Sequence, residues 1–147
     1  MKQLLFAILI VLCATTSFAQ KPGMERILAA KAAYVTDKIH LNKDQYATFL
    51  PLYDSYEREI WTTRKAFKQK YKSGTTDDHG SCMQFVDDNI DFQQQVLDIK
   101  KKYKDQFLRL ISAQQLADLY VAEREFNQLL LKRMKERHEK HNEGASR

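Results

Sequence analysis

Glycine and proline are scarce in this chain. Its 147 residues contain only Pro22, Gly23, Pro51, Gly74, Gly80 and Gly144. A sheet protein of this length needs more turns than those positions supply, and no stretch alternates apolar and polar residues between turn signals. Cysteine is limited to Cys13 and Cys82, which excludes a disulfide-built scaffold. Blocks of like charge are absent: 24 basic and 19 acidic residues are interspersed along the chain. That mild basic excess lacks the concentrated patch of a nucleic-acid binder. Catalytic patterns are missing as well. No serine sits in a glycine-flanked elbow, and no glycine loop is built to cradle phosphate. His138-Glu139-Lys140-His141 spaces its histidines three apart, where the zinc-protease HExxH motif needs four. Neither an enzyme nor a cofactor is expected.

What is present begins with residues 1–19. Lys2, an apolar run over Leu4–Ala14, and Ser17-Phe18-Ala19 have the order of a secretory signal cleaved before Gln20. The run is shorter than the roughly 20 residues that span a bilayer, so cleavage is preferred over a retained anchor. Leu12 is too bulky for a lipoprotein site at Cys13. Residues 20–147 then form one helical domain of 23 basic against 19 acidic residues, because the signal carries one lysine and no acid. In the mature chain Cys82 has no second cysteine to bridge to within the chain. It either pairs between chains or remains a thiol near a loop.

The mature chain reads as all-α with about four helices. They are expected over Met24–His40, Lys43 to about Lys72, Cys82–Leu110, and Ala113 to about His138. Ser73–Ser81 is the clearest loop, and the tail from Asn142 to Arg147 is expected to fray. The second helix would be about 45 Å long. Pro51 lies inside it, so the helix either kinks there or splits off a short segment; the in-phase apolar pattern favours a kink. On the third helix, Phe85, Phe92, Val96, Ile99, Tyr103, Phe107 and Leu110 form one apolar stripe. Val86, Ile90, Leu97 and Leu108 form a second, about 120° round from it. A hairpin partner covers the first. The second has to meet the shorter helices, another subunit or some other partner.

Two five-residue stretches, Leu41-Asn42-Lys43-Asp44-Gln45 and Ile111-Ser112-Ala113-Gln114-Gln115, share one design. Asn42 and Ser112 are N-caps, and Gln45 and Gln115 sit where a capping box places its second partner. Leu41 with Tyr46, and Ile111 with Leu116, have hydrophobic-staple spacing. The repeat implies two helical hairpins or a duplicated helical unit. These stretches resemble the two LTxxQ signatures of the Spy/CpxP group of periplasmic stress proteins, with Asn42, Ile111 and Ser112 replacing the signature residues. Phe49–Tyr53 and Leu119–Phe126 extend the resemblance along most of the mature chain. The resemblance implies a long, bent helical hairpin with additional helices, often paired as an antiparallel, cradle-shaped homodimer. The group includes an ATP-independent chaperone, a regulator of a membrane sensor kinase, and metal-linked proteins.

The first functional expectation is therefore a periplasmic chaperone-like protein that holds unfolded or misfolded polypeptides on a concave apolar and basic surface. Tyr46, Phe49, Tyr53, Trp61, Phe67, Lys68 and Lys70 on the second helix are the candidate client-binding residues. The alternative is an envelope-stress or metal-sensing module that docks on a membrane partner. Met134, His138 and His141 are its weak metal candidates, being spaced to share one helix face. A purely structural envelope protein is the third reading.

Overall fold

The computed structural model describes residues 23–74 and 78–145, with side chains as far as residue 141. The proposed signal segment at residues 1–19, and part of the Ser73–Ser81 loop, lie outside the described residues. Four helices and no strands account for what is described: α1 Gly23–Lys38, α2 Lys43–Lys70, α3 His79–Phe107 and α4 Ala113–Ala145. The all-α expectation holds. α2 and α3 form the long hairpin, and α1 lies against α4 and, along a shorter contact, against α2.

Several boundaries differ from those expected. α3 starts at His79 rather than Cys82, because the Asp78 carboxylate accepts the Ser81 N–H at 3.0 Å and caps the helix. It stops at Phe107, where the chain tightens into a turn closed by Ile111 N–H donating to the Phe107 carbonyl at 2.9 Å. α4 runs through Ala145, so the helix does not end near His138. Residues 132–141 are mostly lysine, arginine, glutamate and methionine, all strong helix formers, and Gly144 alone does not stop them. α2 is continuous through Pro51, which excludes a separate short helix. Proline supplies no donor to the Ala47 carbonyl, but both residues are exposed and water can take that place.

The twin capping boxes are both formed, and they meet. Asn42 Oδ1 accepts the Gln45 N–H at 2.8 Å, and the Asn42 N–H donates to Gln45 Oε1 at 3.2 Å. Ser112 and Gln115 repeat the exchange at 3.1 and 3.0 Å. The two glutamine amides then bond each other, Gln45 Nε2 to Gln115 Oε1 at 3.0 Å and Gln115 Nε2 to Gln45 Oε1 at 3.2 Å. Each amide also reaches the chain leading into the opposite box, at the Leu110 and Ile39 carbonyls. The repeat therefore ties the start of α2 to the start of α4. Ahead of the first box, His40 takes a left-handed φ of 48°, turning the chain out of α1 where glycine or asparagine is more usual.

The core follows from spacing. Phe49, Tyr53, Tyr56 and Ile60 recur on one face of α2 and are buried with Ile99, Tyr103 and Phe107 of α3. Val35 of α1, Ile39 just past its end, and Leu116, Leu119 and Ala122 of α4 close the other side. Phe49 and Tyr53 stack at 5.4 Å, and Tyr56 meets Phe107 edge-on at 5.6 Å. A second aromatic group sits at the far end of the hairpin, where Phe67 stacks on Phe92 at 4.7 Å and Tyr71 meets Phe85 edge-on.

Candidate interaction surfaces and a buried charge cluster

The aromatic surface expected on α2 is not there as a unit. Phe49 and Tyr53 are fully buried, which corrects their assignment as client contacts: their spacing puts them on the core face. Phe67 is half-buried in the far aromatic group. Trp61 is half-buried, with Lys65 Nζ 4.9 Å from its ring centre. Lys70 pairs with Asp88, which also accepts the Tyr71 hydroxyl. Tyr46, 46% exposed, and Lys68 do face solvent. The seven candidates are thus divided among the core, the hairpin end and the surface.

Exposed apolar side chains lie instead on α3 and α4. Met83, Val86, Ile90 and Leu97 occupy an arc of about 60° at 100° per residue, about 120° round from the stripe that α2 covers. Ile90 is 61% exposed. Val86, Ile90 and Leu97 belong to the second stripe read from the sequence; its fourth member, Leu108, lies just past the end of α3 and is exposed as well, and Met83 extends the stripe at the other end. Asn89, Gln93, Gln94, Val96 and Lys100 join Ile90 and Leu97 around a shallow, open groove of about 500 Å³. On α4, Leu129, Leu131 and Met134 are exposed among Lys132, Arg133 and Lys135, and every residue from 131 to 141 faces solvent. α4 outruns the body that its first half packs on.

The weak metal candidates are on this overhang. Met134, His138 and His141 are all exposed, and no group of three or more His, Cys, Asp or Glu residues among the described residues is arranged to hold a metal ion. Cys82 is exposed in the first turn of α3. The staple positions differ between boxes: Ile111 and Leu116 are both in the core, whereas Leu41 packs against it and Tyr46 stands out.

One cluster escaped the sequence reading. Lys31 of α1 is 6% exposed, and its Nζ lies 2.6 Å from Glu57 Oε1 of α2 and 3.5 Å from Glu123 Oε1 of α4. The Tyr53 hydroxyl donates to Glu123 Oε1 at 3.1 Å, and the Tyr56 hydroxyl approaches Oε2 at 3.5 Å. One cation faces two buried carboxylates. Burial, opposed by Lys31 and reinforced by the neighbouring Glu57, pushes the Glu123 carboxyl up to about 7. Burial, then the Glu123 and Glu57 charges, holds the Tyr53 and Tyr56 hydroxyls protonated far above the ordinary tyrosine range. The only signal of this cluster in the sequence is a charged residue at an in-phase core position on each of three helices. Taken one helix at a time, each looks like part of a solvated face.

At the periphery, Arg58 of α2 grips the Glu25 carboxylate of α1 with two bonds, 2.8 and 2.9 Å. Tyr34 and Lys38 of α1 both reach Glu125 of α4. Lys102 of α3 reaches Glu59 of α2 at 2.8 Å. No helix among the described residues is long and apolar enough to cross a membrane. Neither a family model, nor a curated protein, nor a solved structure matches the chain.

Proposed function

We propose that the protein is an ATP-independent, chaperone-like binder of unfolded polypeptides acting in the periplasm. The observation that carries this reading is the exposed stripe of Met83, Val86, Ile90 and Leu97, whose Ile90 and Leu97 line a shallow groove rather than a closed pocket. An open apolar strip with polar margins accepts many chains loosely, while a deep pocket selects one ligand. The basic overhang of α4 adds long-range attraction for acidic segments. Of the residues first expected to bind clients, Tyr46, Lys68 and, although paired with Asp88, Lys70 keep the exposure this role needs. A cradle-shaped homodimer is part of the same proposal.

The test is light scattering of a chemically denatured client diluted with and without the protein, in the absence of ATP. Suppression at near-stoichiometric ratios is expected, and the Ile90→Lys, Leu97→Lys double variant is expected to lose it with an unchanged helical melting curve. Aggregation that proceeds undiminished at a large excess of wild type would overturn the proposal, as would a variant that protects equally well.

A second reading has one observation in its favour. The spacing of Met83, Val86, Ile90 and Leu97, alternating steps of three and four and then a full heptad, also suits a single helical partner. In that case the stripe docks a membrane-anchored regulator. Crosslinking would then recover one stoichiometric membrane protein, and general protection of clients would be weak.

A further inference from the structure

The buried cluster opens into a cavity of about 160 Å³ that is lined from all four helices. Beyond Lys31, Glu57 and Glu123, its wall includes Arg64 of α2, Lys100 of α3 and Arg124 of α4, together with Tyr120 and Asn127. Three cations from three helices thus face one small space. Among the described residues, none of the three has a carboxylate oxygen within 4.0 Å, although Lys31, Lys38, Arg58, Lys70 and Lys102 all do. The Lys31–Glu57 pair cancels its own charge. The remaining wall is cationic, with an amide and a phenol able to donate hydrogen bonds.

We propose that this cavity is a binding site for a small oxyanion of the phosphate or sulfate type, held by Arg64, Lys100 and Arg124 with Asn127. Arginine forks match the oxygen spacing of such ions, and the partly enclosed setting weakens competition from water. At roughly 30 Å³ per water, the space takes one tetrahedral ion and a few waters but no large ligand. The site is distinct from the α3 stripe, and it does not depend on the chaperone reading.

Glu123 lies in the same wall, so occupancy and its protonation are linked. The groups facing it are Lys31 from α1; Tyr53, Tyr56, Glu57 and Arg64 from α2; Lys100 across the cavity from α3; and Tyr120 and Arg124 on α4 itself. An ionised Glu123 repels the anion, and a protonated one does not. Affinity therefore falls as pH rises through the Glu123 midpoint of about 7.

Titration calorimetry with sodium sulfate at constant ionic strength tests this, because sulfate keeps one charge state from pH 6 to pH 8. Saturable binding of one ion per chain is expected at pH 6, with affinity lower by about tenfold at pH 8, the scale of one added charge at close range. The Arg64→Gln, Arg124→Gln double variant, altered only at exposed side chains, is expected to bind at least about tenfold more weakly while melting normally. The Glu123→Gln variant keeps the site and loses the pH dependence. Heats that never saturate, or a double variant that binds sulfate like the wild type, would overturn the assignment. Equal pH dependence in Glu123→Gln would remove the link to that carboxyl.

Discussion

At the scale of single residues, Glu123 is the most consequential side chain in the core. Its carboxyl is raised from 4.5 to about 7 by burial, so between those values the folded protein holds a proton that the unfolded chain releases. Stability contributed through this group is therefore greatest in acid and declines as pH rises from about 4.5 to about 7, after which the loss is complete. Asp88, Glu59 and Glu125 work in the other direction. Hydrogen bonds from Lys70, from Lys102 and from Tyr34 respectively hold these carboxyls below their ordinary range, so their contribution is lost in strong acid. Urea melts of wild type and Glu123→Gln across pH 5 to 8 separate the two trends. The variant is expected to show a flatter profile above pH 5 and to be the more stable protein at pH 8. A wild-type profile parallel to the variant's would show that Glu123 is already ionised at pH 5.

At the scale of the helices, the two capping boxes act as one joint. Each glutamine closes its own box and also bonds the other glutamine and a carbonyl near the other box, so removing either disturbs both helix starts. Gln45→Ala and Gln115→Ala are each expected to cost about 1–2 kcal/mol, the range of a lost cap and its bonds. The double variant is expected to cost less than the sum by at least about 0.5 kcal/mol, because the second substitution removes bonds the first has already broken. A double-mutant cycle from denaturant melts measures the difference. Strict additivity would mean that the boxes act separately in solution.

For the whole molecule, the fold divides into a packed body and an overhang. The body combines α1, the first half of α4 and the lower part of the α2–α3 hairpin around Phe49, Tyr53, Tyr56 and Phe107. Beyond residue 130, α4 touches little and stands in solvent. Ending the chain at residue 135 is therefore expected to leave the thermal midpoint within about 2 °C of wild type, since exposed helix ends contribute little to cooperative stability. The same truncation removes Arg137 and Lys140, and it should slow capture of acidic clients at low salt. A large drop in midpoint would show that the overhang is packed in solution, as it would be in a dimer. Sedimentation of the two forms would then report the change in mass.

The amino-acid sequence by itself determined the helical class, the helix count and the paired caps. Each of these depends on residues within one or two turns of each other: N-cap chemistry at Asn42 and Ser112, 3.6-residue periodicity, and the scarcity of glycine and proline. It also separated the two stripes of α3, because periodicity alone distinguishes faces. Only the tertiary structure decided which faces were covered. Phe49 and Tyr53 look like any other aromatics on α2 until α3 and α4 close over them, and Ile90 and Leu97 look like core although among the described residues they stay largely exposed. The Lys31–Glu57–Glu123 cluster and its cavity belong to this second kind. Three charges separated by 26 and 66 residues in the chain acquire their shared chemistry only when three helices bring them within a few ångströms. Burial and electrostatic coupling depend on distance through space, which local sequence pattern does not encode.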